Sequence, residues 1–168
     1  MSLFQDLGYG VTIAAPITPA VVTYTSGQVI ATPVTITGWA RGAKVATLLH
    51  RVRVVDPQAL NPALTLYLFN KQPVSPFTVS GAFASQIVAG DLANLIDVVK
   101  VAAGAGVDTG VAFSGIGSYQ IVNMNPNKMV PAISAPTNPA IYVVAVAAAS
   151  IVSAAATAFT VYFDLLRS

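Results

Sequence analysis

Residues 44–56 read KVATLLHRVRVVD, the clearest strand signal in the chain. Two sets of side chains alternate along this run, with Leu48, Val52 and Val54 at even positions and Leu49, Arg51, Arg53 and Val55 at odd positions. Because successive side chains of a strand point to opposite faces of a sheet, the period of two predicts a strand with one buried face and one partly solvent-exposed face.

A second run, LTLYLF at residues 64–69, is apolar at both parities. It predicts a central strand buried on both faces, with Leu64, Leu66 and Leu68 in the core. Seven further runs are rich in β-branched and aromatic residues, at 20–25, 27–32, 34–39, 95–102, 119–123, 139–148 and 155–166. The eleven prolines fall largely between the runs. Nine short strands predict an all-β sandwich or barrel.

The connections complete this prediction. Residues 104–117 carry five glycines and predict a flexible loop, and residues 123–138 predict a long connection of the kind that crosses a Greek key or jelly roll. A short helical turn is expected at 89–93. The predicted fold is an antiparallel, jelly-roll-like β-sandwich at 20–168, preceded by an extended N-terminal arm at 1–19.

The charge content is unusually low. Asp, Glu, Lys and Arg make up 8% of the 168 residues, against about 25% in ordinary soluble domains, and 55% of the residues are hydrophobic. A monomer with so little charge is poorly protected against association. The composition therefore favours burial against copies of the chain or a partner. The net charge of +2 is too small to indicate binding to nucleic acid.

Few residues are suited to catalysis or metal binding. Cysteine is absent and His50 is the only histidine, which excludes a thiolate or multi-histidine metal site. The sequence around Ser114 lacks both glycines of a nucleophile elbow, and the aspartates form no calcium-loop series. We therefore expect no catalytic residue, metal or cofactor, and we expect the aspartates to serve as turn and capping residues.

Residues 140–163 carry no charge and are apolar enough to suggest a membrane span. Serines and threonines interrupt the stretch, and residues 159–165 alternate with the period of a strand, so two strands joined by a turn are favoured over a span. The chain also starts without the basic and apolar segments of a signal peptide. We expect synthesis in the cytoplasm and no membrane partner.

Four of the eight bases lie within thirteen residues, and we take their neighbourhood as the candidate contact site. Its members are Trp39, Arg41, Lys44, His50, Arg51 and Arg53. Arg51 and Arg53 share a strand face and form either a solvated strip or a strip that binds carboxylates of a neighbouring subunit. Trp39 is either an interface anchor or a core residue. His50 is either a hydrogen-bonded strand residue or a pH-sensitive contact.

Several segments together resemble small structural proteins of tailed bacteriophages. They are Tyr24 with Gly27–Ile30, Gly42 before the long strand ending at Asp56, Leu64–Phe69 with Pro73 and Pro76, Ile141–Val143, and Phe159–Phe163. At position 28 this chain has Gln where such proteins commonly have Asp. The resemblance is to capsid decoration, or cement, proteins.

That resemblance implies a non-enzymatic β-sandwich on the capsid surface of the virion. Such a protein assembles as a homo-oligomer, with a trimer as the favoured state, and links neighbouring subunits in the lattice of the major capsid protein. The arm at 1–19 would lie across that lattice as a tether. Two alternatives stay open: a tail, baseplate or head-fibre component, and a glycan-binding sandwich that stacks sugars on Trp39 and on Tyr9, Tyr67 or Tyr119.

Overall fold

The computed structural model describes residues 10–39, 47–58, 60–103, 118–130 and 140–167, with the backbone alone for 118–130 and Arg167. The strands are β1 (Gly10–Ile17), β2 (Thr23–Tyr24), β3 (Val34–Ile36), β4 (Thr47–Asp56), β5 (Leu64–Phe69), β6 (Leu95–Val101), β7 (Ser118–Val130), β8 (Ile141–Ala147), β9 (Ile151–Val152) and β10 (Phe159–Arg167). Two four-residue helices, α1 (Phe83–Gln86) and α2 (Ala89–Leu92), lie between β5 and β6.

The eight longer strands form two four-stranded antiparallel sheets. Sheet 1 has the order β1-β10-β4-β7, sheet 2 has the order β3-β8-β5-β6, and β2 pairs with β9 as a separate ribbon. Along the chain these eight strands switch sheets at every step except from β5 to β6. This alternation is the jelly-roll arrangement of two Greek keys, and it confirms the predicted antiparallel β-sandwich.

The main core fills the space between the two sheets. Leu64, Leu66 and Leu68 are fully buried there, as the sequence predicted, and they belong to the same apolar cluster as Val161 and Phe163 of β10. The order of sheet 2 places β5 between β8 and β6, which confirms its predicted central position. Burial of these side chains from water is the main stabilising contribution.

A second apolar cluster covers the outer face of sheet 2. It comprises Val29, Phe69, Phe77, Phe83, Val144 and Val146. The ring of Phe83 lies between Tyr67, 4.0 Å away, and Phe77, 5.4 Å away, in two stacked contacts. Because the segment containing α1 lies over β5, both faces of this strand are covered, which explains why LTLYLF is apolar at both parities.

Strand β4 departs from the predicted alternation at a β-bulge. On one side Leu165 of β10 pairs with Leu49 and Asp164 pairs with Arg51, so His50 is an extra residue. Leu49 is fully buried with Val52 and Val54, whereas Leu48 is half-buried on the outer face. The predicted faces of Leu48 and Leu49 were wrong because one extra residue in a strand moves every preceding side chain to the opposite face of the sheet.

Part of the segment predicted as an N-terminal arm forms a strand. Residues Gly10–Ile17 form β1, which pairs with β10 along its whole length. Ala15 and Ile17 are fully buried against the core, and this burial holds the segment in sheet 1. Only residues 1–9 of the predicted arm lie outside the described residues, and the division into arm and domain stays a prediction.

Other predicted boundaries shift in both directions. The predicted runs at 20–32 contain only the two-residue β2 and isolated bridges at Gln28 and Val29. Strand β7 continues to Val130, through the first half of the predicted connection at 123–138. The helical turn predicted at 89–93 is confirmed by α2, whereas α1 was missed. The predicted glycine loop at 104–117 lies outside the described residues.

The apolar stretch at 140–163 contains β8 and the first residues of β10, as the strand interpretation predicted, and also the short strand β9, which was not predicted. None of the helices in the described ranges has the length and apolar character needed to cross a membrane.

Candidate functional site

Five polar and aromatic side chains meet on the outer face of sheet 1, and we call this group the Asp164 cluster. It contains Thr12 of β1, Arg51 and Arg53 of β4, and Tyr162 and Asp164 of β10. Strand β10 lies between β1 and β4, and the register puts Thr12 and Arg51 directly on either side of Asp164. Strand pairing alone therefore assembles the cluster from distant parts of the chain.

The Asp164 carboxylate accepts hydrogen bonds from three side chains. Thr12 Oγ1 donates to Oδ1 at 2.6 Å, and Arg51 Nε donates to Oδ2 at 2.6 Å. Arg53 donates twice, from Nε to Oδ2 at 2.9 Å and from Nη2 to Oδ1 at 2.8 Å. The guanidinium of Arg53 also lies 5.1 Å from the centre of the Tyr162 ring, a cation–π contact. Arg53 is thus bound in the bidentate geometry that suits a carboxylate.

These contacts lower the pKa of the Asp164 carboxyl to about 2. Burial of the carboxylate acts in the opposite direction, but the hydrogen bonds from Arg53, Thr12 and Arg51 and the charge of Arg53 outweigh it. One carboxylate faces two guanidiniums, so the cluster carries an excess of one positive charge at neutral pH.

His50 is exposed at the bulge next to this cluster. A shallow pocket of about 290 Å³ is lined by His50, Arg51 and Asp164 together with the paired ends of β1 and β10. The bulge places His50 and Arg51 on the same outer side of β4, where regular alternation would separate them.

The structure brings together only some of the predicted contact residues. Arg51 and Arg53 share a face, and both bind Asp164 of the same chain. Arg41 and Lys44 lie outside the described residues. Sequence reasoning missed the contact of Asp164 with the arginines because it lies more than a hundred residues from them. The alternation along β10 did place Asp164 on the opposite face of the strand from the buried phenylalanines.

Trp39 is a core residue in this chain. It is fully buried, and its ring meets that of Phe163 edge-on at 5.3 Å. Its carbonyl oxygen accepts a hydrogen bond from Thr47 Oγ1 at 3.1 Å. Trp39 is therefore not available as an exposed interface anchor or as a platform for sugars, and Tyr67 is occupied by its stack with Phe83. Tyr9 and the side chain of Tyr119 lie outside the described residues.

All four aspartates in the described part of the chain are buried: Asp56, Asp91, Asp97 and Asp164. Asp56 accepts backbone N–H groups of Gln58, Leu60 and Asn61. Asp91 accepts the N–H groups of Val74 and Ser75 and the hydroxyl of Ser75. The predicted turn role is confirmed for Asp56, whereas Asp91 binds a loop 16 to 17 residues away in the sequence. Asp6 and Asp108 lie outside the described residues.

The described surface is therefore free of exposed carboxylates and retains exposed bases such as Lys71 and Lys100. It also carries two groups of exposed apolar side chains. One comprises Val21, Val22 and Val152 around the β2–β9 ribbon, and the other, which we call the α2 patch, comprises Val74, Val88 and Leu92 around α2. In the α2 patch Val74 is 76% exposed and Leu92 is 50% exposed.

No protein-family model and no curated protein matches the sequence. Among solved structures, a chain of tomato aspermy virus is similar over 100% of this chain and 87% of its own, with 11% identity and a TM-score of 0.34. A chain of Desmodium yellow mottle tymovirus is similar over 95% of this chain and 87% of its own, with 13% identity and a TM-score of 0.27. A chain of infectious bursal disease virus, Gt strain, is similar over 96% of this chain and 38% of its own, with 13% identity and a TM-score of 0.28. Likeness at this level establishes no family for the chain.

Proposed function

We propose that this protein is a structural subunit of a phage virion and serves as a capsid decoration protein. It would bind the head lattice as a homo-oligomer, with a trimer as the favoured state. The observation that carries the proposal is the described surface, which combines exposed apolar groups with buried carboxylates. Solubility in proteins depends strongly on exposed charge, and acidic side chains contribute most. A surface without exposed carboxylates is better suited to contact with neighbouring subunits than to a free monomer in water.

The α2 patch is the best placed of the exposed apolar groups for such a contact. Leu92 lies in α2, Val88 is the residue before the helix, and Val74 lies in a loop that is tied to this helix by hydrogen bonds to the buried Asp91 and from Val88 to Ser75. A rigid backbone under exposed apolar side chains lowers the entropy cost of association. We propose that this patch contributes to the contact between subunits.

The fold is compatible with this role. Jelly rolls occur in viral capsids and also in lectin domains and cupins, so the properties of the surface, more than the architecture, support the proposed role. The two sheets enclose a continuous core, which gives a subunit that can resist deformation when capsid proteins are pushed apart. The proposed role is binding without catalysis.

The first test measures assembly. We expect the purified protein to sediment as a homo-oligomer and to cosediment with intact phage heads that lack it. Leu92→Asp should weaken self-association roughly tenfold or more, because it removes apolar burial of about 1.5 kcal/mol or more and buries a charge. Val79→Asp is the matched control, since Val79 is exposed but lies outside both apolar groups.

If the protein remains monomeric at high concentration and does not cosediment with phage heads, the proposal is overturned. Electron microscopy of particles carrying the labelled protein then decides its position. Label on the capsid surface supports a decoration protein, whereas label on the tail, baseplate or head fibres supports that alternative component of the virion.

A further inference from the structure

We propose that Arg51 is a receptor for a carboxylate on an acidic surface of a partner protein, with its two terminal amino groups as the donors. This inference rests on the proposed function for the identity of the partner, but the binding site itself stands on the geometry of the Asp164 cluster.

The two arginines of the cluster are used differently. Arg53 contacts Asp164 through both Nε and Nη2, and its side chain is 22% exposed. Arg51 contacts Asp164 through Nε alone, at 2.6 Å, and its side chain is 38% exposed. Among the described residues Nη1 and Nη2 of Arg51 have no acceptor, so these amino groups are available to an external ligand.

The contact with Asp164 also prepares Arg51 for binding. A guanidinium is planar, so fixing Nε by a short hydrogen bond restricts the plane in which the terminal amino groups lie. Much of the entropy that a flexible arginine loses on binding has therefore been lost already in the folded chain. Two parallel N–H donors in a fixed plane match the two oxygens of a carboxylate.

Charge within the described chain favours an external carboxylate. Asp164 balances only one of the two guanidiniums, and the three other described aspartates are buried at 7% exposure or less. No carboxylate on the described surface is thus available to occupy Arg51 from its own chain. Lys71 and Lys100 are exposed as well, so the partner surface that complements this protein is acidic.

A carboxylate is favoured over the phosphates of a nucleic acid. Binding to nucleic acid requires a basic surface that neutralises several phosphates at once, whereas this chain has eight bases in 168 residues and a net charge of +2. A single arginine fork suits one carboxylate at a protein contact. Binding to nucleic acid is therefore an outcome that the experiment must distinguish.

The test uses the full-length protein labelled with nitrogen-15 and follows the Arg51 Nε–H signal and nearby amides during titration with poly-L-glutamate at low ionic strength. We expect saturable shifts at Arg51 that disappear as salt is added. Arg51→Gln and Arg51→Lys should each weaken binding about tenfold, because glutamine removes the charge-assisted hydrogen bonds and lysine lacks the fork. Lys71→Gln, which removes one exposed charge elsewhere, should leave the affinity within about twofold, as expected for a solvated charge.

Equal affinity of Arg51→Lys and the native protein would overturn the assignment of the fork, and an absence of shifts would overturn the site. Tighter binding of polyphosphate or single-stranded DNA than of poly-L-glutamate would assign the site to phosphate instead. The fold of each variant is checked by circular dichroism, and Arg53 and Thr12 still hold Asp164 when Arg51 is changed. Because no phage particle is used, failure here is distinguishable from failure of the cosedimentation test.

Discussion

At the residue scale, Asp164 is the side chain on which the outer face of sheet 1 depends. Replacing it by Asn leaves two neighbouring guanidiniums, both partly buried, without a counter-charge. We expect Asp164→Asn to lower the free energy of unfolding at neutral pH by about 2 kcal/mol, in line with its lowered pKa. Chemical denaturation measures this change. Thr12→Val, which loses a single hydrogen bond, should cost about 1 kcal/mol, and an equal loss in both variants would contradict the central role of the carboxylate.

The same carboxylate sets part of the response to acid. Its pKa falls from an ordinary value of 3.8 to about 2 on folding, so the stabilisation is complete above about pH 5 and is lost as the pH falls from there to about 2. Burial raises the pKa of Asp91, but hydrogen bonds from Ser75 and Val74 and the charge of Lys71 outweigh it, and the net pKa is also lowered. We expect the Asp164→Asn variant to lose less stability than the native protein between pH 5 and pH 2. Parallel curves would show that Asp164 does not contribute.

Two glycines give opposite predictions at the same scale. Gly27 has a φ of +86°, a left-handed conformation that costs an L-residue about 1 kcal/mol, although its surroundings leave room for a methyl group. Gly90 lies within α2, also with open space around it. Gly27→Ala should therefore destabilise by about 1 kcal/mol and Gly90→Ala should stabilise by about 0.5 kcal/mol. Thermal unfolding of the two variants measures the difference, which vanishes if backbone conformation is irrelevant.

At the scale of elements, α2 is too short to be stable by itself and is held in place by hydrogen bonds. Ser75 Oγ donates to Asp91 and accepts the backbone N–H of Val88 at 3.1 Å. We expect Ser75→Ala to accelerate hydrogen exchange of the amides at 74–92 severalfold, because a buried donor and acceptor lose their partner. Exchange in β5 serves as the internal control and should not change. Uniform acceleration across both regions would show that this segment unfolds only with the whole domain.

Strand β4 shows where pattern and packing differ at this scale. Its existence and its end at Asp56 follow from alternation and from the proline that comes next. The extra residue at His50 does not, because a bulge is decided by how β4 fits between β10 and β7. Arg51 and His50 share an outer face only as a result of that fit.

At the scale of the molecule, the burial of apolar side chains between the two sheets is the largest single contribution to stability. Leu66 lies in the middle of β5, fully buried within the main core. We expect Leu66→Ala to lower the free energy of unfolding by about 2–5 kcal/mol through lost burial and a residual cavity. Val98→Ala, at a half-buried position on the outer face of sheet 2, should cost clearly less. Equal losses would mean that the space between the sheets is not the principal core.

The sequence by itself determined the all-β class, the central position of β5 and its leucine core, and the turn role of Asp56, because alternation, proline placement and aspartate in turns act over a few residues. Only the tertiary structure decided that Trp39 is core, that residues 10–17 are a strand, and that Asp164 meets Arg51 and Arg53. These outcomes depend on which distant strands become neighbours in a sheet. Local periodicity carries no information about that choice, since any strand of suitable alternation satisfies the same pattern.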